Sequence, residues 1–453
     1  GEKDRYGYDK TIRYQEEKLN YWGYTKGNYF APKASYCKSN QPEKELKSFF
    51  SALHEAGIEY LMDFYFPVET DPQMVLEVLR FWRMEYRVDG FVLMGDGVWM
   101  ELLARDSVLA DVKLIGCGYD MGGIARKLGG KKRLAACHSG FQSVMRRFLR
   151  GDEDQVNGFL YYTRENPQDH GEIHYLANHD GFTLADMTSY DTRHNMENGE
   201  ENRDGSAYNY SWNCGVEGDT DDPEVLALRS RMIRNACAVL MCSRGTPMFL
   251  AGDEFCNTQF GNNNAYCQDN EISWLDWSLL EKNREIYEFF RYMIAFRKKH
   301  SAIRGECSPS GFGFPTVSVH TNQPWDNNVT QESKFLGVMF AGAVPAGSSQ
   351  ETGRNQENAW SQEAERRRKS VWSLETERTR ELETEDLVYL AVNVFWEDQQ
   401  FFLPKLPNGF VWRLAVNTDQ PEMPEKESQM TVIDSEFILK PRSVAVFVGG
   451  PSF

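Results

Sequence analysis

Glu45-Leu-Lys-Ser-Phe-Phe-Ser-Ala-Leu-His-Glu-Ala-Gly57 runs straight into Ile58-Glu-Tyr-Leu-Met-Asp-Phe-Tyr-Phe66. The first stretch has apolar residues at helical spacing and stops at glycine, the residue best suited to a helix C-cap. The second is a short apolar and aromatic run, which reads as a strand. The alternation then repeats. Met74–Arg83 is helical, Val88–Met94 a strand, Trp99–Val108 a short helix and Val112–Cys117 a strand. Arg133–Ala136 is a weak strand, Phe141–Leu149 a helix, Glu172–Ala177 a strand, Val225–Met241 a long helix, Pro247–Leu250 a strand and Glu285–Lys299 a closing helix. Six strands alternating with helices imply βαβ units and a parallel sheet.

Outward from this block the character changes. Residues 1–42 are polar and aromatic without periodicity and read as a long loop. Beyond about residue 300 the strand-like runs are Lys334–Ala341, Leu387–Phe395, Phe401–Leu403, Val411–Ala415 and Ser443–Phe447, which suggest a small antiparallel sandwich. Between the first two lies Ala346–Asp386, rich in Glu, Arg, Ser and Gln. A solvated helix laced with charge pairs and a disordered loop both suit such a composition. The expected domains are 1–300 and 301–453, with a charged insertion at about 346–386.

The chain has 453 residues, 41% of them hydrophobic and 26% charged, so it can build a sizeable core. Its net charge of −17 argues against nucleic acid and against an anionic membrane surface. An uncharged ligand remains open. Aromatics reach 13%, which suits carbohydrate and a well-filled core equally. The nine cysteines are an odd number and none form a C-x-x-C pair. That excludes a complete disulfide set and leads to the expectation of a reducing, cytoplasmic setting. The longest apolar stretch, around Ala236–Cys242, is far short of a membrane span. The chain opens Gly-Glu-Lys-Asp without Met, which reads as a processed or truncated piece.

Tyr175-Leu-Ala-Asn-His179-Asp180-Gly-Phe-Thr-Leu-Ala-Asp186 ends a strand with a His-Asp pair. After it come Arg193-His-Asn, Ser211-Trp-Asn-Cys-Gly-Val-Glu-Gly218, Gly245-Thr-Pro-Met, Gly252-Asp-Glu254 and Gly261-Asn-Asn-Asn-Ala-Tyr-Cys-Gln-Asp-Asn-Glu-Ile-Ser-Trp-Leu-Asp-Trp277, in that order. Together these motifs closely resemble the glycogen-debranching and isoamylase branch of the α-amylase family of glycoside hydrolases. The likeness extends to Tyr21-Trp-Gly-Tyr24 near the start and to Phe314-Pro and Pro324-Trp in the C-terminal half. It implies a (β/α)₈ barrel with the site at the strands' C-terminal ends, followed by a C-terminal β-domain. The expected fold is therefore α/β: an incomplete TIM-type barrel of about six of eight strands, lacking the first two, then an antiparallel β-sandwich. The implied activity is retaining hydrolysis of α-1,6-glucan, in which a nucleophilic carboxylate and an acid sit about 5–5.5 Å apart.

Residue by residue, the resemblance carries only part of that machinery. Asp180 matches the third carboxylate, with His179 beside it. Asp63 opens the strand-three motif, but its later positions are Pro67 and Val68. The strand-four motif reads Gly90-Phe91-Val92-Leu93-Met94, so Met94 takes the nucleophile's place and Val92 that of its supporting Arg. The strand-five motif reads Leu114-Ile-Gly-Cys117-Gly-Tyr-Asp120, with Cys117 at the acid's place. Methionine cannot form a glycosyl ester, and a thiol of reference pKa near 8.5 is a poor general acid. Asp96, two residues past Met94, is the one carboxylate placed to substitute, but the flanking Gly95 and Gly97 suggest that the strand has ended.

Expected glucan contacts are Tyr24, Asp63, Asp120, His179 and Asp180. Each has a structural counterpart reading, such as loop packing for Tyr24 or a His-Asp hydrogen bond for His179. No Ca²⁺-loop spacing occurs, so neither metal nor cofactor is expected. Three readings stay open. One is a non-catalytic relative that binds glycogen or starch, or that pairs with an active debranching enzyme or a complementing N-terminal fragment. Another is an active α-1,6-glucan debranching hydrolase using unexpected groups. The third is a decayed product without function.

Overall fold

The computed structural model describes residues 18–24, 27–137, 139–345 and 383–452. The chain forms two compact units. The first comprises the residues up to Ala236 together with Gly245–Ile286; the second comprises Cys237–Arg244 and the residues from Tyr287 onward.

In the first unit, six strands lie in sequential order: β1 (Leu61–Tyr65), β2 (Gly90–Met94), β3 (Lys113–Cys117), β4 (Leu134–Cys137), β5 (Gly171–Tyr175) and β6 (Thr246–Met248). Every neighbouring pair is parallel, and among the described residues β1 and β6 do not pair with each other. This is an incomplete (β/α)₈ barrel, as expected. The interleaved helices are α1 (Pro42–Glu55), α2 (Pro72–Tyr86), α3 (Met100–Arg105), α4 (Met121–Lys127), α5 (Gly140–Arg150), α6 (Val156–Arg164), the single turn α7 (Leu184–Met187) and α8 (Pro223–Cys242). Composition did not reveal α4 and α6.

Local chemistry explains the helix ends. Asp71 caps α2 by accepting from Gln73 N–H at 2.7 Å, with Pro72 at the first helical position, and Arg87 closes the helix at φ +59°. Val75, Leu76, Val78, Leu79, Trp82 and Tyr86 recur at helical spacing on its buried side. They pack with Phe64, Phe91, Leu93 and Leu114 from the sheet. The helix-side core is thus built from alternate residues of each strand, and the intervening residues face the other way.

Most of α8 belongs to the first unit. Three further helices follow it: α9 (Leu279–Lys282), α10 (Arg284–Lys299) and α11 (Ser301–Arg304). The second unit's strands are β7 (Val317–His320), β8 (Phe335–Pro345), β9 (Glu383–Asn393), β10 (Gln399–Phe402), β11 (Phe410–Asn417), β12 (Thr431–Ile433), β13 (Glu436–Leu439) and β14 (Ser443–Pro451). Six of them form an antiparallel sheet in the order β12-β11-β14-β9-β8-β7, and β10 pairs with β13. Phe401 and Leu439 from the small sheet pack with Tyr389, Trp412 and Phe447 from the large one, giving the expected sandwich core.

Residues 346–382 of the charged insertion lie outside the described residues, as do residues 1–17. The insertion's last four positions need correcting: Glu383–Asp386 belong to β9, in register with Gly342–Pro345. Polar composition hid this. Asp386 is in fact buried, accepting from Ala302 N–H at 2.8 Å and meeting His300 Nδ1 at 2.6 Å. No helix among the described residues is long and apolar enough to cross a membrane.

Candidate functional site

The face of the parallel sheet turned away from its helices carries Leu61, Val92, Ile115, Cys117, Ala135, Cys137, Ile173, Tyr175 and Met248. The two-residue period adds Asp63 and Met94 to this face. Register sorts these side chains into rows. Asp63 lies beside Val92, which lies beside Ile115 and then Ala135. The next row outward, at the strands' C-terminal ends, contains Tyr65 beside Met94, and Cys117 beside Cys137 and Ile173. The β2–β3 ladder ends at Leu93 with Gly116, so one step further Met94 stands next to Cys117.

The two positions implied for nucleophile and acid are therefore neighbours on adjacent strands, about 4.8 Å apart. That spacing resembles the carboxyl separation that retaining chemistry needs. Neither position carries a carboxyl group. Met94 is 5% exposed. Cys117's thiol lies beside that of Cys137 in register, and this neighbour, followed by burial, pushes it well above the ordinary thiol range. β2 ends at Met94, as the glycines suggested. A Cβ on Gly95 would sit 2.1 Å from Phe66 O, and one on Gly97 would sit 2.2 Å from Pro67 O. Asp96 is carried between them on an exposed turn rather than on the strand.

Three of the expected contacts converge. Tyr24 Oη donates to Asp63 Oδ2 at 2.9 Å, and its ring lies 5.2 Å from the His179 imidazole. Trp22 meets the same imidazole edge-on at 5.0 Å. Asp63 sits in an open recess where its carboxylate meets solvent. The surrounding protein still pushes its carboxyl up to about 6, opposed by the Tyr24 hydrogen bond. Burial lowers His179 to about 4, so its imidazole is neutral, and Nε2 has no hydrogen-bond partner among the described residues. Asp180 is half-buried and near Tyr175, whose phenol is raised chiefly by burial and then by Cys137, Cys117 and Asp180. Asp120 stands apart, capping α4 through Gly123 N–H at 2.8 Å. The recess has a volume of about 700 Å³ and is lined by Trp22, Tyr24, Tyr29, Tyr60, Asp63 and Tyr65, among others. No group of three or more His, Cys, Asp or Glu among the described residues could hold a metal.

No protein-family model matches the chain. The glycogen operon protein GlgX homolog of Mycobacterium tuberculosis is 35% identical over 356 residues, which is 63% of this chain and 49% of that protein. Isoamylase 3, chloroplastic, of Oryza sativa is 32% identical over 399 residues, 71% of this chain and 50% of the rice protein. Among solved structures, the catalytic module of the glycogen-degrading pneumococcal virulence factor SpuA matches with a TM-score of 0.63 at 15% identity, covering 94% of this chain and 66% of that one. The chain belongs to the glycogen-debranching and isoamylase branch of the α-amylase family. It spans about half the length of the curated relatives named here.

In this debranching-branch chain, the motifs that carry the resemblance also build the loops around the strand ends. Asn195 Nδ2 donates to Asn263 Oδ1 at 2.8 Å, and Asn263 N–H returns to Asn195 Oδ1 at 3.0 Å. Asn263 Nδ2 reaches Asn209 Oδ1 at 2.7 Å, while Asn262 and Gln268 both donate to Asn198 Oδ1, at 2.9 and 2.7 Å. Only glycine fits at position 205, where φ is +73° and a Cβ would lie 2.2 Å from Asn263 Oδ1. Tyr21 N–H donates to Tyr266 O at 2.7 Å, which anchors the Trp22–Tyr24 segment beside the recess.

Asp186 and Asp253 are buried beneath these loops. Asp186 accepts from Thr183, Thr258 and Gln259, and Asp253 from the N–H groups of Leu184 and Leu250. Arg146, fully buried, donates to the carbonyls of Leu176, Phe182 and Asn209, bracketing the His179-Asp180 turn. Sequence reasoning missed Cys137 and Tyr175. The only available signal was strand register, which a single sequence does not reveal.

Proposed function

We propose that this chain is a non-hydrolysing α-glucan-binding relative of the debranching enzymes, acting on glycogen or starch as a regulatory or targeting subunit of an active enzyme. One observation carries the reading: the strand-end row is Tyr65, Met94, Cys117, Cys137 and Ile173, without a carboxyl group among them. Retaining hydrolysis requires one carboxylate to attack the anomeric carbon and another to protonate the leaving oxygen. A thioether cannot do the first. A thiol held above its ordinary range is a poor source for the second. When such a pair acts as a unit, losing it costs on the order of 10⁶ in rate.

The groups left around the row suit binding. Tyr24 offers a ring face for a pyranose, and Asp63, His179 and Asp180 offer acceptors and a donor for hydroxyls. The GlgX homolog, whose name places it with a glycogen operon, and the isoamylase support α-glucan as the ligand. The odd cysteine count supports a reducing, cytoplasmic setting.

A reducing-end assay on glycogen and amylopectin tests the chemistry, and affinity electrophoresis in glycogen gels tests binding. The expected result is retardation without release of reducing ends. Cleavage of α-1,6 bonds that disappears in Asp180→Ala would overturn the loss of chemistry. Absence of retardation would favour a chain without function.

A further inference from the structure

The second unit presents an indole that folding alone does not explain. Trp325 is 48% exposed, and its backbone takes φ +67°, a left-handed conformation that bulky residues rarely adopt. The surroundings hold that conformation in place. Trp325 N–H donates to His320 Nδ1 at 2.8 Å. With Nδ1 accepting, the ring proton is assigned to Nε2, which donates to Ser318 Oγ at 2.9 Å. His320 is fully buried against Tyr389, and burial lowers it to about 4, so it stays a neutral acceptor.

One face of the indole lies on Phe314, at 5.7 Å and 28°. Phe314 continues through Phe312 into Phe410, at 6.1 and 4.9 Å. Backbone and ring are thus both fixed on edge strand β7 and the loop that follows it. Strain that persists because its surroundings over-determine it tends to mark functional sites.

The loop around the indole is polar and braced. Thr321 Oγ1 and Asn328 Nδ2 both donate to the Asp326 carboxylate, at 2.9 and 2.6 Å. Gln323, Asn327 and Asn328 are exposed. A rigid aromatic face rimmed by amides suits an uncharged polyol, whose C–H face stacks while its hydroxyls pair with the rim. The net charge of −17 disfavours a polyanion.

We propose that Trp325 and the 321–328 loop form a second α-glucan contact, separate from the strand-end recess. It rests on the α-glucan reading of the chain. The test is affinity electrophoresis of the full chain in glycogen gels, with Trp325→Ala, Trp325→Phe and Tyr24→Ala, the fold of each variant checked by circular dichroism and thermal melting. Trp325→Ala is expected to weaken retardation roughly fivefold to tenfold, and Trp325→Phe to keep most of it. Retardation of wild type that Trp325→Ala leaves unchanged would overturn this contact while the α-glucan reading stands. No retardation of wild type would overturn both. Gel filtration supplies the remaining arm: if Trp325→Ala instead abolishes self-association, the indole is a protein contact and the proposal fails.

Discussion

Met94→Asp would return a carboxyl to the nucleophile position, and its expected failure can be worked out from the surroundings. Met94 is 5% exposed, on the same sheet face as Val92, Leu61 and Ile115. Removing the methionine forfeits about 2 kcal/mol of apolar burial. A carboxyl left there without a partner adds about 1–3 kcal/mol. The sum, about 3–5 kcal/mol, corresponds to a fall of roughly 10 °C in the first unit's melting temperature.

The sign with pH follows from the same burial, which would raise the new Asp above its unfolded value. The protonated form is then tolerated below the unfolded pKa, and the penalty grows as pH rises through the folded pKa. Each unit of elevation costs about 1.4 kcal/mol more on the alkaline side than on the acid side. Melting curves of wild type and variant near pH 5 and near pH 8 measure this directly. Adding Val92→Arg should recover part of the loss by supplying the missing partner. A variant as stable as wild type at both pH values would show that the surroundings of Met94 are wet and polar, and the reasoning from an apolar row would be wrong.

Other expectations are simpler. His179 and His320 are both lowered to about 4 by burial, so each contributes stability that is present above the unfolded value and lost as pH falls from about 6.5 towards 4. That is about 3 kcal/mol apiece, and a melting-temperature profile of His179→Asn should flatten the first unit's acid limb. Gly205→Ala should cost about 2–4 kcal/mol in denaturant titrations, because the left-handed backbone and the Asn263 amide both resist a Cβ. Cys117 should resist iodoacetamide near pH 8 in the folded chain and react once unfolded. Rapid labelling of the folded form would mean that the thiol ionises readily and would reopen its use as an acid.

Much of the fold was legible because strand and helix periods alternate cleanly from Glu45 to Lys299. Each of the six predicted strands overlaps an observed one. α4 and α6 escaped because Met121-Gly-Gly-Ile and Asn157-Gly carry glycines that depress helical propensity, and tertiary packing overrides it. β9 begins inside what composition marked as a charged insertion, because pairing with β8 outweighs the polarity of Glu383–Asp386. At the site, Tyr24, Asp63 and His179 were each identifiable from motifs, but their convergence was not. It depends on where the loop after Asn20 lands, which Tyr266 decides from far along the chain. The Cys117–Cys137 contact depended on a parallel register that nothing local encodes.

The asparagine lattice around residues 195–268 has a consequence of its own. Its cross-links are mostly between uncharged amides, which neither titrate nor attract counterions. Salt and acidity, which loosen ion pairs and protonate buried imidazoles elsewhere in the chain, reach it chiefly through Asp204, whose carboxylate accepts from Asn198 and Asn264 at 2.7 and 2.8 Å. The loops that it cross-links should therefore keep most of their outline across conditions that soften ion pairs elsewhere in the chain.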